Sequence, residues 1–270
     1  MTGVSYMGAN LVAQQLDWAM TEGWGQGDRA TNDFYRPIET FAERFGAFVD
    51  LVTSSGFDVV DVWTGQLHWE WATPAHFEIA RTELERSGLV VASYAGYFGD
   101  TPEEFDTASA AARELGTTLL SGSTSLSNTD REAMVRVLKA RGVRLAIENH
   151  GEKTPKEITD QIGTDGEGLI GTAVDTGWWG VQGFDAAEAV REFGAHVLHI
   201  HLKDVLTTGV HETCALGDGI VPIEDVVRAI GEIDFTGPIS IEHEPEHYDP
   251  APEIAISVER LDGWLNGIGR

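Results

Sequence analysis

Cysteine is almost absent from this sequence, since Cys214 is the only one among 270 residues. No internal disulfide can form, and a metal site built from several thiolates is excluded. The chain also lacks an uninterrupted apolar stretch of about 18 residues, which a membrane-spanning helix requires. Its first residues, MTGVSYMGANLVAQQL, lack the basic start and apolar run of a secretory signal. These absences predict a soluble, cytoplasmic protein.

Positive charge is scarce. Lysine and arginine number 18 against 44 aspartates and glutamates, which gives a formal net charge of −26. Such a surface repels phosphate backbones and anionic lipid heads, so nucleic acid and membranes are not expected as partners. The excess of acid does not by itself indicate a cationic substrate, because acidic surfaces also keep proteins in solution.

Apolar, β-branched runs alternate with amphipathic segments along the whole chain. Their length and flanking glycines favour buried parallel strands over buried helices. The predicted strands are Val4–Ala9, Phe57–Trp63, Leu89–Ala95, Thr117–Ser121, Val143–Asn149, Ile170–Thr176, Val197–Lys203 and Pro238–Glu242. Helical periods or capped starts predict helices between them, at Glu39–Ser54, Thr101–Leu115, Thr129–Ala140, Pro222–Ile233 and Pro252–Leu265.

Eight strands alternating with eight helices predict an α/β fold, a closed (β/α)8 TIM barrel that forms a single domain over residues 1–270. The alternative is an open, doubly wound sheet. That fold usually carries a glycine-rich turn after its first strand, whereas LVAQQLDW follows here.

The first connection, about residues 10–38, is unusually long and contains Trp18, Trp24, Phe34 and Tyr35. In a barrel the first βα-loop belongs to the active-site face. Leaving four aromatic rings in water would expose an unusually large apolar patch. We therefore expect this loop to cover the substrate or to dock a second chain.

Four polar residues end the last four predicted strands, one per strand: Glu148, Asp175, His201 and Glu242. The carboxyl ends of barrel strands converge, so these side chains can meet. Three carboxylates around one imidazole would repel each other without a cation. Three hard oxygen donors with one nitrogen suit Mn²⁺, Mg²⁺ or Co²⁺, and Mn²⁺ is our first choice.

The stretches LAIENH, AVDTGW, HIHLKD followed by LGDG, and GPISIEHE resemble the sugar phosphate isomerase/epimerase family, whose members adopt the xylose-isomerase-like barrel. The resemblance covers essentially the whole chain. It implies that Glu148, Asp175, His201 and Glu242 bind one divalent metal that polarises a sugar carbonyl. One position departs from the pattern: ketose epimerases often have a histidine three residues after the metal-binding aspartate, and this chain has Trp178.

Further residues are predicted around the same mouth. His150 is a candidate general base, with a hydrogen bond to a metal ligand as its alternative role. Lys203 could stabilise an enolate oxygen or pair with Asp204, and Glu148 and Glu242 could also transfer protons. His199 is expected one layer deeper, in a structural role. Candidate substrate contacts are Trp63, His68, Tyr97, Trp178 and His211.

The predicted chemistry is proton removal next to a sugar carbonyl, followed by elimination, isomerisation or epimerisation. The stretch ENHGEKTP and the aromatic first loop are similar to the catalytic subunits of bacterial C-glycoside deglycosidases, which favours the lyase. That resemblance implies a small-molecule sugar or glycoside as substrate, and a homo-oligomer or a complex with a small second subunit. Inosose dehydratases run a related loss of water. Two other classes are a non-catalytic sugar-binding barrel and an endonuclease-IV-like nuclease, which the net charge disfavours.

Overall fold

The computed structural model describes residues 3–164, 166 and 168–269. Its ten strands are β1 (Val4–Met7), β2 (Val59–Trp63), β3 (Val90–Tyr97), β4 (Leu119–Ser123), β5 (Arg144–Glu148), β6 (Ile170–Asp175), β7 (Val197–Leu202), β8 (Asp204–Thr207), β9 (Val210–Cys214) and β10 (Ile239–Ile241). Eight of them close a barrel in the order β1-β10-β7-β6-β5-β4-β3-β2, and every pairing is parallel. The predicted (β/α)8 barrel is confirmed.

Helices cover the outside of this barrel. In the described part of the chain they are α1 (Trp24–Tyr35), α2 (Ile38–Ser54), α3 (Pro74–Ser87), α4 (Pro102–Glu114), α5 (Leu126–Thr129), α6 (Arg131–Arg141), α7 (Pro155–Ile162), α8 (Thr176–Gln182), α9 (Ala186–Phe193), α10 (Ile223–Glu232) and α11 (Ala251–Gly267). Among these described helices, none is long and apolar enough to cross a bilayer.

Local sequence explains where several helices begin and end. Thr101 caps α4, because its hydroxyl accepts the N–H of Glu104 at 3.3 Å while the Glu104 carboxylate accepts the N–H of Thr101 at 3.0 Å. Gly88 and Gly142 follow α3 and α6 with φ of +73° and +62°, a backbone conformation that favours glycine. The capped start that predicted a helix from Thr101 is therefore the one the structure uses.

The core lies between the barrel and its helices. The apolar face of α2 that the sequence predicts is buried against the barrel in full: Phe41, Phe45, Phe48, Val49 and Val52. The first connection, however, is not an open loop. It contains two 3-10 turns, Gly8–Leu11 and Gln14–Leu16, before α1.

The sequence did not predict α1, because its two glycines, Gly25 and Gly27, weaken the helical pattern. Gly27 is required by packing, since a Cβ there would lie 2.4 Å from the carbonyl oxygen of Val12. Tyr35, at the end of α1, is buried and packs edge-on to Phe41. Part of the aromatic content of this connection therefore packs against its own barrel.

The antiparallel hairpin of β8 and β9 is the second departure from simple alternation. It follows β7 after one residue, Lys203, and stands where the sequence predicted only a loop. Over the residues that the structure describes, the expected eight helices become eleven, because α1, α5 and α8 add short or unpredicted segments to the barrel connections.

Candidate active site

The four predicted metal ligands meet at the carboxyl end of the barrel. Glu148 and Asp175 are the last residues of β5 and β6, His201 is the last but one of β7, and Glu242 directly follows β10. Asp175 pairs in register with His201, which places the two at the same height. One potential ligand atom from each of the four residues lies within 4.8 Å of the others. Donors around one ion at about 2.0–2.6 Å require this kind of separation.

Hydrogen bonds between neighbouring strand ends hold this cluster together. The Asn149 side chain donates to the carbonyl oxygen of Asp175 at 3.0 Å and accepts its N–H at 2.9 Å, which ties β5 to β6. The Thr176 hydroxyl accepts the N–H of Lys203 at 2.9 Å, which ties β6 to β7. The Asn10 side chain donates to the carbonyl oxygen of Ile241 at 3.2 Å and accepts the N–H of His243 at 2.8 Å, which ties the segment after β1 to the end of β10. The ligands therefore stand on fixed backbone.

The charges in the cluster fit a cation. Nδ1 of His201 lies 3.1 Å from Oε1 of Glu148 and 3.0 Å from Oε2 of Glu242. Oδ2 of Asp175 and Oε2 of Glu242 are buried and accept no well-formed hydrogen bond from the described residues; their contacts are ionic only. Buried carboxylate oxygens left in this way are costly unless a cation compensates them. The donor set of three carboxylates and one imidazole can hold a divalent metal ion.

The other ring nitrogen of His201 faces a buried polar network below the cluster. Nε2 lies 3.0 Å from Oγ of Ser121 and 3.2 Å from Nδ1 of His199. His199 in turn approaches Oδ1 of Asp61 to 3.5 Å, and the Ser93 hydroxyl donates to that oxygen at 2.6 Å. These contacts orient the ring so that Nδ1 faces the carboxylates. His199 lies one layer deeper than His201, where its sequence position had placed it.

Lys203 lies inside the cluster rather than beside it. Its ammonium nitrogen is 2.9 Å from Asp175, 3.3 Å from Glu242 and 2.9 Å from Glu244, and the residue is 1% exposed. The alternative pairing with Asp204 is wrong. The Asp204 carboxylate instead accepts four backbone N–H groups, from residues 205, 217, 219 and 221, which fold the LGDG segment.

These contacts shift the pKa values in opposite directions. Burial raises the pKa of Glu242 to about 7, against the lowering effect of Lys203. Burial also acts to raise the pKa of Glu148, but the charges of His201 and His150 outweigh it and the net shift is downward. The pKa of His201 rises well above its usual value, because the two glutamates more than offset its burial. Metal-free, the site therefore tends to hold a proton on His201.

A cavity of about 550 Å³ opens above the cluster. Two glycines contribute to its floor, Gly96 on β3 and Gly122 on β4, which pair in register. A Cβ on Gly122 would lie 1.9 Å from the carbonyl oxygen of Gly96, so no side chain can be placed there. The sequence therefore leaves space where neighbouring strands would otherwise fill the mouth.

Every substrate contact proposed from the sequence lines this cavity, together with the proposed base. These residues are Trp63, His68, Tyr97, His150, Trp178 and His211. The Trp178 ring stacks on the His211 ring, with centroids 4.6 Å apart and planes 18° apart, and the His150 ring lies 5.4 Å from Trp178. One side of the cavity is therefore a wall of flat rings.

Sequence reasoning missed several residues that line the cavity, chiefly Glu244, Asp28 and Glu246. The Glu244 carboxylate binds Lys203 and accepts the indole N–H of Trp24 at 3.2 Å. Its position two residues after Glu242 was a usable signal, because alternate residues of an extended segment point the same way. Asp28 lies one turn after Trp24 on α1, and no pattern within the predicted loop could have revealed it.

Comparison with known families identifies the fold at the level of sequence. The family model described as xylose isomerase-like TIM barrel matches residues 49–265, and the chain belongs to this family. Among curated proteins, no sequence match was found.

Solved structures similar to this chain include a D-tagatose 3-epimerase-like protein (17% identity, 82% of this chain and 92% of that chain, TM-score 0.69). A xylose isomerase-like TIM barrel protein from Mycobacterium smegmatis in complex with magnesium shares 17% identity over 86% and 90%, with a TM-score of 0.67. The probable 3-DHS dehydratase AsbF from Bacillus anthracis shares 12% identity over 97% and 99%, with a TM-score of 0.67. At these identities the similarity establishes the fold alone.

Proposed function

We propose that this member of the xylose isomerase-like barrel family is a metal-dependent carbohydrate enzyme that removes a proton from the carbon next to a sugar carbonyl. The observation that carries the proposal is the four-residue cluster of Glu148, Asp175, His201 and Glu242, which opens into a cavity with His150 and Lys203 on its surface. A barrel that only binds sugars needs no acid or base group beside its metal ligands, so these two side chains favour an enzyme.

Mn²⁺ is our first candidate for the metal, because three carboxylates and one imidazole form a mostly hard donor set. Mg²⁺ is an alternative, supported by the magnesium complex of the mycobacterial neighbour, and Co²⁺ also suits these donors. When bound, a divalent ion would polarise the carbonyl and stabilise negative charge on its oxygen.

The chain's own residues would handle the proton. His150 lines the cavity and is near enough to Glu148 to lower the pKa of that carboxyl group. In this proposal its neutral ring accepts the proton from the carbon next to the carbonyl, and the electron pair of the broken C–H bond passes into an enediolate-like anion. The positive charge of Lys203 would stabilise the negative charge that develops on the carbonyl oxygen, while its ammonium group stays paired with the carboxylates. Glu148 and Glu242 are the alternative proton acceptors.

We favour elimination as the next step, as in the deglycosidation of C-glycosides carrying a 3-oxo group. The electron pair would form a carbon–carbon double bond while the bond to the β-substituent breaks, and the proton on His150 would pass to the leaving group. A cavity of about 550 Å³ lies within the range of about 300–1,000 Å³ that holds drug-sized ligands. The ring wall of Trp178 and His211 suits a flat aglycone.

Isomerisation or epimerisation is the second candidate. It is favoured by the likeness to a D-tagatose 3-epimerase-like protein, although Trp178 replaces the histidine common in such enzymes. Loss of water, as in inosose dehydratases, is a variant of the elimination, and a dehydratase is also among the structural neighbours.

One experiment separates these reactions. The metal-loaded protein is incubated in D₂O with keto-sugars and with 3-oxo-glycosides, and exchange and products are followed by NMR. Released aglycone or a dehydrated product supports the lyase, whereas deuterium exchange with an epimer or isomer supports the second candidate. Binding without exchange, in a preparation whose metal content is verified, would contradict an enzymatic role.

We further propose that residues 1–270 act as one barrel unit, with residues 10–38 as part of its active-site wall. The assembly state is proposed as a homo-oligomer or a complex with a small second subunit. Mass measurement of the protein in solution, alone and after co-purification, tests it.

A further inference from the structure

Several carboxylates that the proposed chemistry does not use line the cavity. Asp28 on α1 and Glu246 after β10 both line the cavity, next to Trp24 and Glu244. Asp28 accepts a hydrogen bond from the Asn32 amide at 3.2 Å. Within the described part of the chain, neither Asp28 nor Glu246 has a lysine or arginine at ion-pair distance. Arg29, whose charge acts on Asp28, is an exposed side chain outside the cavity lining and pairs with Glu22. Among the described residues, no cationic side chain of the cavity itself pairs with these two carboxylates.

Positive charge is nearly absent from the same space. Among the described residues that line the cavity, Lys203 is the single lysine and arginine does not occur. Its ammonium group is already shared by Asp175, Glu242 and Glu244. A phosphate or carboxylate on a ligand would find no unpaired cationic side chain, and arginine and lysine are the usual partners of such groups.

A charge count gives the sign of the field. Six carboxylates belong to the cavity and its ligand cluster: Asp28, Glu148, Asp175, Glu242, Glu244 and Glu246. Lys203 supplies one positive charge, and the divalent ion of the proposed function supplies two. With neutral imidazoles, six negative charges against three positive ones leave a formal charge of −3. Clefts with low-dielectric walls focus such a field onto the ligand.

We propose that this cavity selects uncharged sugars or glycosides and rejects phosphorylated sugars and uronates, with Asp28 and Glu246 as specificity-determining residues. The inference rests on the proposed function and narrows its substrate class. A unit charge about 10 Å from an anion, at an effective dielectric constant between about 20 and 80, changes its binding by about two- to fifteenfold. Removing one of the two carboxylates should therefore help an anionic ligand by that factor and leave a neutral one unaffected.

The first test compares two ligands of one skeleton on the Mn²⁺-loaded protein at pH 8. Methyl β-glucoside and methyl β-glucuronide differ by a carboxylate at carbon 6, and Mn²⁺-induced NMR relaxation reports their binding. We expect the glucoside to bind at least about tenfold more tightly than the glucuronide. Asp28→Asn should reduce this ratio of dissociation constants by about two- to fifteenfold. The matched control is Asp33→Asn, which removes the same charge from an exposed position of α1 outside the cavity. Equal binding of the two ligands, or equal effects of the two variants, would overturn the inference.

A second readout does not depend on the identity of the substrate. Trp24 lines the cavity with 38% of its surface exposed, and its emission is obtained as the difference between wild type and Trp24→Phe. At constant ionic strength, iodide should quench this emission much less than neutral acrylamide, and Asp28→Asn should raise the iodide quenching constant while Asp33→Asn does not. If the D₂O experiment shows no exchange but quenching behaves in this way, the proposed function fails and the inference on the field stands. If iodide quenches as freely as acrylamide, the inference fails whatever the substrate.

Discussion

The buried ammonium of Lys203 offers the sharpest test of how the site is stabilised. Its contacts with three carboxylates at 2.9–3.3 Å are almost completely shielded from water. Lys203→Met keeps the length of the side chain but leaves those carboxylates without their cation. Removing one partner of a buried ion pair costs about 3–5 kcal/mol, which lowers Tm by about 6–20 °C in a chain of this size.

The loss should depend on pH. Burial raises the pKa of Glu242 to about 7 while Lys203 opposes that shift, so the variant should have a still higher value. A carboxyl group whose folded-state pKa lies above its unfolded value loses stability as pH rises towards the folded pKa. At pH 6 most of Glu242 is protonated in both proteins. At pH 8 Glu242 is mostly ionised in the wild type, whereas in the variant its higher pKa makes ionisation cost additional folding free energy. We therefore expect a larger destabilisation at pH 8 than at pH 6.

Urea and thermal unfolding, followed by circular dichroism in EDTA, measure this effect. The matched control is Lys156→Met, which breaks an exposed pair with Asp160 one helical turn away. Pairs of that kind contribute at most about 0.5 kcal/mol. Adding Mn²⁺ should then stabilise Lys203→Met more than wild type, because the metal replaces the lost positive charge. Equal losses in the two variants, or a loss independent of pH, would refute this account of the site.

Three further predictions concern metal, proton transfer and substrate. His201 must lose its proton to bind a metal, and its pKa in the metal-free site lies well above 6.5. The affinity for Mn²⁺ should therefore rise by up to about tenfold for each pH unit below that pKa. Titration calorimetry that shows no pH dependence of the affinity would contradict this. His150→Ala should lower kcat by about 10²–10⁴-fold while the metal content stays intact. The control is His196→Ala, which should leave kcat unchanged because His196 is exposed at the opposite end of β7. A near-normal kcat of His150→Ala would assign the proton transfer to another residue. Trp24→Ala should raise KM, because Trp24 lines the cavity. Trp18→Ala should instead lower the stability of the protein, because Trp18 packs against the core. If wild type and both variants share the same kinetics and the same mass in solution, the first connection contributes to neither substrate binding nor assembly.

The barrel and its ligand cluster could be predicted because both follow from local order. Apolar runs, capping residues and glycines at helix ends are short-range signals, and the closed topology follows from their repetition. The strand ends then bring Glu148, Asp175, His201 and Glu242 together whatever the details of the loops. A charged residue at the end of each of four successive buried strands is a pattern that can be read without coordinates.

What could not be predicted depends on contacts between distant segments. The partners of Lys203 lie on β6 and on the segment after β10, whereas its sequence neighbour Asp204 is engaged by the backbone of the LGDG turn. Helix α1 was missed because its glycines are selected by close packing against Val12 and not by helix propensity. The hairpin of β8 and β9 is too short and too polar at its turn to be told from a loop.

The strand-end ties explain how a protein can keep this density of buried charge. Carboxylate oxygens within 4.8 Å of one another would move apart if the strands that carry them could shift. The ligands would then have to be brought together again each time a metal binds. Asn149 and Asn10 prevent this by forming reciprocal bonds with the next strand end on either side of the cluster, and Thr176 does so within it. The folded barrel therefore keeps the carboxylates close together in spite of their mutual repulsion, and the charge of Lys203 offsets part of that repulsion when no metal is bound. Rigid ligands with an excess of negative charge favour a small, hard, divalent cation over a monovalent one, because the interaction energy grows with the charge of the ion while the geometry cannot relax.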